Sequence, residues 1–410
     1  MAEFSNWRLP LDKAHDVSSS ASNLSFVGGA GDFDQVGNIQ NPYKLKPQLE
    51  GTLANIKSAL AKENCSMLDI VRLKIFYRPT KEVDDCELIQ ILLELLPKNP
   101  APVISSLPAQ LQPFPGQEVQ IQVIAQRNWR SEKNYRFETK ALNVPSSPSC
   151  KQITVTSALR TGEFIAVANR TAGLFDNNTS NETDGVKETH LIMKSLDKSL
   201  SSVGASLQDS IKLESYYFGT SRKDWSPLAK ARASYFKEPG PPATAIPYNE
   251  ILPRGSQTKV GALAMRELRN TYDKYIPRED SWPPRVWDWQ LNLPWRQAQK
   301  LRGMVWLGGQ VPAEPFSNTG KRMLPGELLP QTRFTMSYVE DLLRPFNCKT
   351  SDIKLLVCYF QKSDDEEMSN KMLNLLRNCC GGVLPPITLV PVPHMQSPDS
   401  TVEIWGVAQS

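Results

Sequence analysis

The chain has 410 residues, 40% hydrophobic and 22% charged, with a net charge of +4. That length is more than one ordinary core organises and corresponds to about two to four domains of soluble globular type. No stretch approaches about 18 unbroken apolar residues and the N-terminus, MAEFSNWRLPLDK, has no apolar signal segment, so a cytoplasmic protein off the membrane is expected.

In chain order, NLSFVGGAG (Asn23 to Gly31) reads as an apolar strand running into a Gly-Gly turn. Leu49, Leu53, Ile56 and Leu60 keep helical spacing behind Pro47. DIVRLKIFY (Asp69 to Tyr77) alternates as a strand, Leu88, Ile91, Leu92 and Leu95 share one helix face, and VQIQVIA (Val119 to Ala125) is a further strand. The polar stretch Asn128 to Ser149 reads as a connector. The order then recurs. A strand at Phe164 to Val167 precedes a polar loop at Asp176 to Asp184 and a helix through Ile192, Leu196, Leu200 and Val203. The strand Asp209 to Tyr217, a helix through Trp225 and Leu228, and a strand at Lys259 to Ala264 follow. After a charged linker, Arg269 to Arg285, the third pass has GMVWLGGQVP (Gly303 to Pro312) and a helix through Met336, Val339 and Leu343. It continues with the strand Asp352 to Phe360, a helix through Met368, Met372 and Leu375, and VEIWGVA (Val402 to Ala408).

The recurrence has a fixed period. Gly29, Asn169 and Gly309 occupy one position in three copies, with 169 − 29 = 140 and 309 − 169 = 140. Arg72-Leu73, Lys212-Leu213 and Lys354-Leu355 mark the middle strands. The expected architecture is α+β: three tandem β-β-α-β-α-β-β units, each with two helices on one face of a sheet. The boundaries fall at residues 1–128, 150–268 and 286–410, with linkers at 129–149 and 269–285.

These segments resemble the RidA/YjgF family of enamine/imine deaminases. The resemblance sits in LSFVGGAGDFDQVGNI, TLANIKSALAKENCSMLDIVRLKIFY and VQIQVIA of the first unit, and in LPWRQAQKLRGMVWLGGQVP and VEIWGVA of the third. The second unit matches mostly by position, through Leu196 to Tyr217 and PPATAIPYNEILPRG. It implies three chorismate-mutase-like/RidA-like domains forming a pseudo-trimer within one chain, helices outside, a β-barrel-like centre, and clefts between units.

The family's chemistry, as the resemblance implies it, uses an arginine that forks onto a substrate carboxylate and a last-strand glutamate that activates water for attack on C=N. Carried onto this sequence, the arginine's place falls on Pro102, Thr244 and Thr388, and the glutamate's on Gln120, Lys259 and Glu403. The third unit alone keeps the acid. Glu403 is therefore the expected catalytic residue, or else a strand-edge carboxylate paired across a unit boundary. Trp295, Gln310, Asn370, Thr388 and Thr244 are expected to shape the pocket, with Arg170 or Arg296 as a relocated cation for substrate. Five of the nine tryptophans (Trp282, Trp287, Trp289, Trp295, Trp306) lie close together, either walling a pocket or clamping the linker.

Neither a phosphate loop nor a metal-ligand cluster is evident, and the basic residues lack aromatic interleaving. The expected partner is thus a small-molecule substrate, without cofactor, metal or nucleic acid, in a monomeric pseudo-trimer or a homodimer. The leading reading is a divergent RidA-like hydrolase or deaminase acting on a small imine or enamine. The alternatives are a non-catalytic metabolite binder or scaffold, and enol-ether hydrolysis as in the chorismatases that share the architecture.

Overall fold

The computed structural model describes residues 16–80, 83–132, 134–142, 153–172, 184–269 and 272–410. The expected loop at 176–183 and the connector stretch 143–149 lie outside them.

The first unit contains β1 (Ser18–Ala21), β2 (Leu24–Ala30), α1 (Leu45–Lys62), β3 (Ile70–Tyr77), α2 (Asp85–Leu95), β4 (Val103–Pro108) and β5 (Val119–Gln126). Its sheet runs β1-β2-β5-β3-β4, antiparallel except for the β3–β4 pair, which is parallel because a helix crosses between them. The second contains β6 (Tyr135–Leu142), β7 (Ile153–Thr161), β8 (Phe164–Arg170), α3 (Gly185–Ser202), β9 (Ser210–Phe218), α4 (Arg222–Ala233), β10 (Ala243–Tyr248) and β11 (Thr258–Met265), ordered β10-β9-β11-β8-β7-β6. A hairpin of β12 (Glu267–Arg269) and β13 (Tyr272–Lys274) leads to the third. There β14 (Glu279–Ser281), β15 (Ala298–Leu301), β16 (Met304–Leu307), α5 (Leu328–Leu343), β17 (Ile353–Gln361), α6 (Met368–Cys379), β18 (Ile387–Val392) and β19 (Val402–Gln409) give β14-β15-β16-β19-β17-β18. The fold is three α+β repeats, as the period of 140 requires. Both expected connectors also contribute strands: β6 pairs with β7, and β14 extends the third sheet. Among the described residues no helix is long and apolar enough to cross a membrane.

Alternation along the middle strands divides each sheet into two faces. Leu213 and Tyr217 of β9 pack in one cluster with α3 and α4, and Leu356, Cys358 and Phe360 of β17 pack with α5 and α6. The intervening residues meet around the shared centre, where Phe76, Tyr216 and Tyr359 come together from the three units. That centre is charged as well as apolar. The Glu214 carboxylate accepts from both Arg72 and Lys74 of the first unit, all three nearly inaccessible to water. Burial would raise the Glu214 carboxyl, but the two cations hold it down at about 2. Lys74 also donates to Tyr359 Oη at 3.1 Å, so one cluster ties the three sheets together.

The seams between units are backbone-tight. A Cβ on Gly28 would stand 2.5 Å from the Ile387 nitrogen, so only glycine lets β2 approach β18. At the equivalent seams Asn169 N donates to Ser105 Oγ (3.2 Å) and Gly309 N to the Ala243 carbonyl (2.8 Å). A Cβ on the neighbouring Gly29 would lie 3.3 Å from the Thr388 Cα, so the three positions spaced by 140 all lie where one unit meets the next.

Candidate active site

The ladder registers define what is equivalent at each seam. Gln120 stands opposite Phe76, Lys259 opposite Tyr216 and Glu403 opposite Tyr359. On the parallel strands Ser105 stands opposite Lys74, Thr244 opposite Glu214 and Thr388 opposite Val357. The first-unit counterpart of Thr244 is therefore Ser105, three residues beyond Pro102, which lies before β4 begins.

The acid positions have diverged. Gln120 Nε2 donates to the Leu389 carbonyl at 2.9 Å across the seam between first and third units. Lys259 Nζ is buried in an ion pair with Asp85 at 2.7 Å, and Tyr77 Oη donates to the same carboxylate. Glu403 alone keeps a carboxyl, 6% exposed, in a cleft of about 720 Å³ between the second and third units.

Burial and three neighbouring groups fix the state of that carboxyl. Burial raises it to about 7, against the pull of Lys212, an N–H hydrogen bond from Ala245, and Arg322. Gly309 makes room for it: a Cβ there would lie 2.0 Å from Glu403 Oε1. Lys212 lies beneath the cleft floor, donating to Thr244 Oγ1 (2.7 Å) and to the Leu307 carbonyl (2.8 Å), with Trp405 4.4 Å away. Burial lowers its ammonium to about 7, opposed by Glu214 and Glu403. A cleft carboxyl that changes protonation near neutrality can take a proton from water or substrate and give it back. The walls are aromatic: Trp225 stacks on Trp289 with centroids 6.4 Å apart, Trp287 meets Trp289 edge-on at 4.4 Å, and Trp295 packs against Phe236 at 5.2 Å. Arg322 closes the rim, its Nη1 donating to the Gly320 carbonyl at 2.9 Å and its Nε without a partner.

Residues 15–127 match the family described as Endoribonuclease L-PSP, the RidA/YjgF family. The first unit is a RidA/YjgF domain. Over the chain, the fold is similar to that of a chorismatase crystal structure at 15% identity, covering 83% of this chain and 93% of that one with a TM-score of 0.51. TdcF from E. coli, solved with bound serine, matches at 20% identity over 32% of this chain and 98% of its own, TM-score 0.28. The YjgF gene product of E. coli matches at 20% identity over 32% of this chain and 98% of its own, TM-score 0.27. No curated protein matches by sequence.

Set on this RidA-type frame, the residues singled out in the sequence separate. Glu403, Thr244 and Trp295 share the cleft, and Trp287 and Trp289 line it as well. Trp282 instead donates to the Trp287 carbonyl, and Trp306 packs on Phe26 in the centre. The other expected pocket residues lie elsewhere. Arg170 is fully buried, donating to Ser195, Ser199 and the carbonyls of Ala168 and Ser157 beneath α3, because an irregularity in the β8–β11 register puts it on the helix-facing side that Ile165 and Val167 occupy. Arg296 is spent on Glu238 and Asp280. Gln310 turns inward, bonding Gln297 and the Gly308 carbonyl while accepting from Trp287, and so supports the wall from behind. Asn370 stands on α6, donating to Glu367. Thr388 belongs to the seam with the first unit, where it accepts from Gln122 at 2.9 Å. Sequence reading does not single out Arg322 and Arg232, which line the Glu403 cleft, or Lys212, which is buried beneath it and bonds the lining Thr244.

Proposed function

We propose that this chain is a cofactor-independent hydrolase of the RidA type, with one working cleft between its second and third units, acting on a small anionic imine or enamine. The observation that carries the reading is Glu403, a carboxyl poised at about 7 in an aromatic cleft of substrate size. Arg322 takes the substrate carboxylate in place of the family's missing arginine, since its Nε has no partner and it lines the same cleft. Glu403, ionised, removes a proton from water as the oxygen bonds to the imine carbon and the C=N π electrons move to nitrogen. With the imine bound in its protonated form, the acid so formed protonates the amine of the tetrahedral adduct. The C–N bond breaks with its electrons on nitrogen as the adduct's hydroxyl becomes C=O and returns its proton to the Glu403 carboxylate, and ammonia and a carbonyl compound leave. Lys212, held to Thr244 and the Leu307 carbonyl, keeps the carboxyl from rising further.

The test is hydrolysis of 2-imino acids generated in situ by an amino-acid oxidase, following release of the 2-oxo acid. Acceleration over the spontaneous rate, strongest for aromatic and branched side chains, supports the proposal. A panel of such substrates with no acceleration overturns it.

A further inference from the structure

Of the cations that line the cleft, Arg222, Lys223, Lys321 and Arg322 are half-buried or exposed, whereas one that the imine chemistry does not use is buried. Arg232 lies in the last turn of α4, where a basic side chain ordinarily reaches into water beside the helix C-terminus. Here it is 2% exposed, turned under the helix and lining the same cleft as Glu403. Its guanidinium forms no ion pair among the described residues, and its Nη1 has no hydrogen-bond partner. Burial lowers its pKa to about 10, opposed only by Tyr217. The Tyr217 hydroxyl is likewise fully buried with no partner, within electrostatic reach of both Arg232 and Glu403.

An unpaired guanidinium inside a protein is costly, and buried charges are ordinarily matched by an acid. Glu214 balances Arg72 and Lys74 at the centre, and Asp85 balances Lys259 at another seam. Arg232 lacks such a match, and Trp225 on the same helix offers a flat face stacked with Trp289. A planar anion resting against these rings would supply the missing acceptor.

We infer that Arg232 is the anchor for a second anionic group, so that the cleft takes a dianion with a flat or ring-bearing body, one carboxylate at Arg322 and the other at Arg232. The inference rests on the cleft reading above and narrows its substrate class from monoanions to dianions.

Calorimetric titration of the full chain with benzoate, isophthalate and terephthalate tests it. The expected result is that at least one dicarboxylate binds about ten-fold or more tighter than benzoate, one added charge-assisted contact. Arg232→Met should abolish that advantage while leaving benzoate unchanged. The ligand-free variant should also melt at a higher temperature than wild type, since an unpaired charge has been removed. Equal binding of benzoate and both dicarboxylates by wild type, an advantage that survives Arg232→Met, or a lower melting temperature of that variant would each overturn the inference. The titration involves no turnover. A chain that prefers dianions yet hydrolyses no imine overturns the chemistry alone, and one that hydrolyses imines without the preference overturns Arg232 alone.

Discussion

Glu403→Gln should change the pH dependence of stability in a calculable way. The Glu403 carboxyl has an ordinary value of 4.5 and sits at about 7 when folded, with burial the leading cause. Between those limits the folded chain holds a proton that the unfolded chain has released. Stability associated with the neutral acid is therefore complete below pH 4.5 and is lost as pH rises through 7. At about 1.4 kcal/mol per pH unit the gap amounts to ~3 kcal/mol lost by wild type across the window. The amide does not titrate, so Glu403→Gln loses none of it. Urea unfolding of both proteins, followed by tryptophan fluorescence from pH 4 to pH 8, should show the variant gaining on wild type by that amount, with the rise centred between 4.5 and 7. A difference that stays flat with pH would mean an ordinary carboxyl, and the argument for a poised acid would fail.

Three further outcomes follow from the same geometry. Gly309→Ala places a methyl 2.0 Å from Glu403 Oε1 and should abolish imine hydrolysis while the chain stays folded, checked by turnover beside a thermal melt. Gly28→Ala meets backbone at 2.5 Å across another seam, and should instead cost about 1–3 kcal/mol in urea unfolding and leave kcat unchanged. Lys212→Met removes the cation that pulls Glu403 down, so the pH–rate profile should move to higher pH; an unmoved profile would separate the two groups electrostatically.

The period of 140, the alternation of the middle strands and the helical spacing of Leu49 to Leu60 made the three-unit fold legible, because repeats and periodicity are properties of the chain itself. The strand β6 escaped that reading. YRFETKAL is an edge strand with one neighbour, and Arg136, Phe137 and Thr139 are all exposed, so no apolar/polar alternation marks it as a half-buried strand. Glu403 was readable from its place in VEIWGVA, and Trp295 from its place before the third hairpin. Which wall would face Glu403 was not readable. Thr244 and Thr388 look alike in sequence, but each seam joins the parallel strand of one unit to the hairpin of the next. Thr244 therefore meets Glu403's cleft and Thr388 meets Gln122. Arg170 reads as a cation beside a turn and is the bonding centre beneath α3, since a register irregularity of one residue against β11 reverses the face its side chain takes, and no sequence pattern announces it. Arg322 sits in a loop of the third unit anchored by a lone bridge to Ala313, so no repeat pointed to it. Arg232 has the spacing of a solvated helix-end cation; only the packing of α4 shows that it is inside.

The comparison that bears most directly on a single working cleft is kcat/KM for a 2-imino acid in wild type, Glu403→Gln and Gln120→Ala, measured side by side. The account predicts a loss of about 100- to 10,000-fold for Glu403→Gln, the range of one general acid–base group, and a value within about three-fold of wild type for Gln120→Ala. Full activity in Glu403→Gln would contradict it.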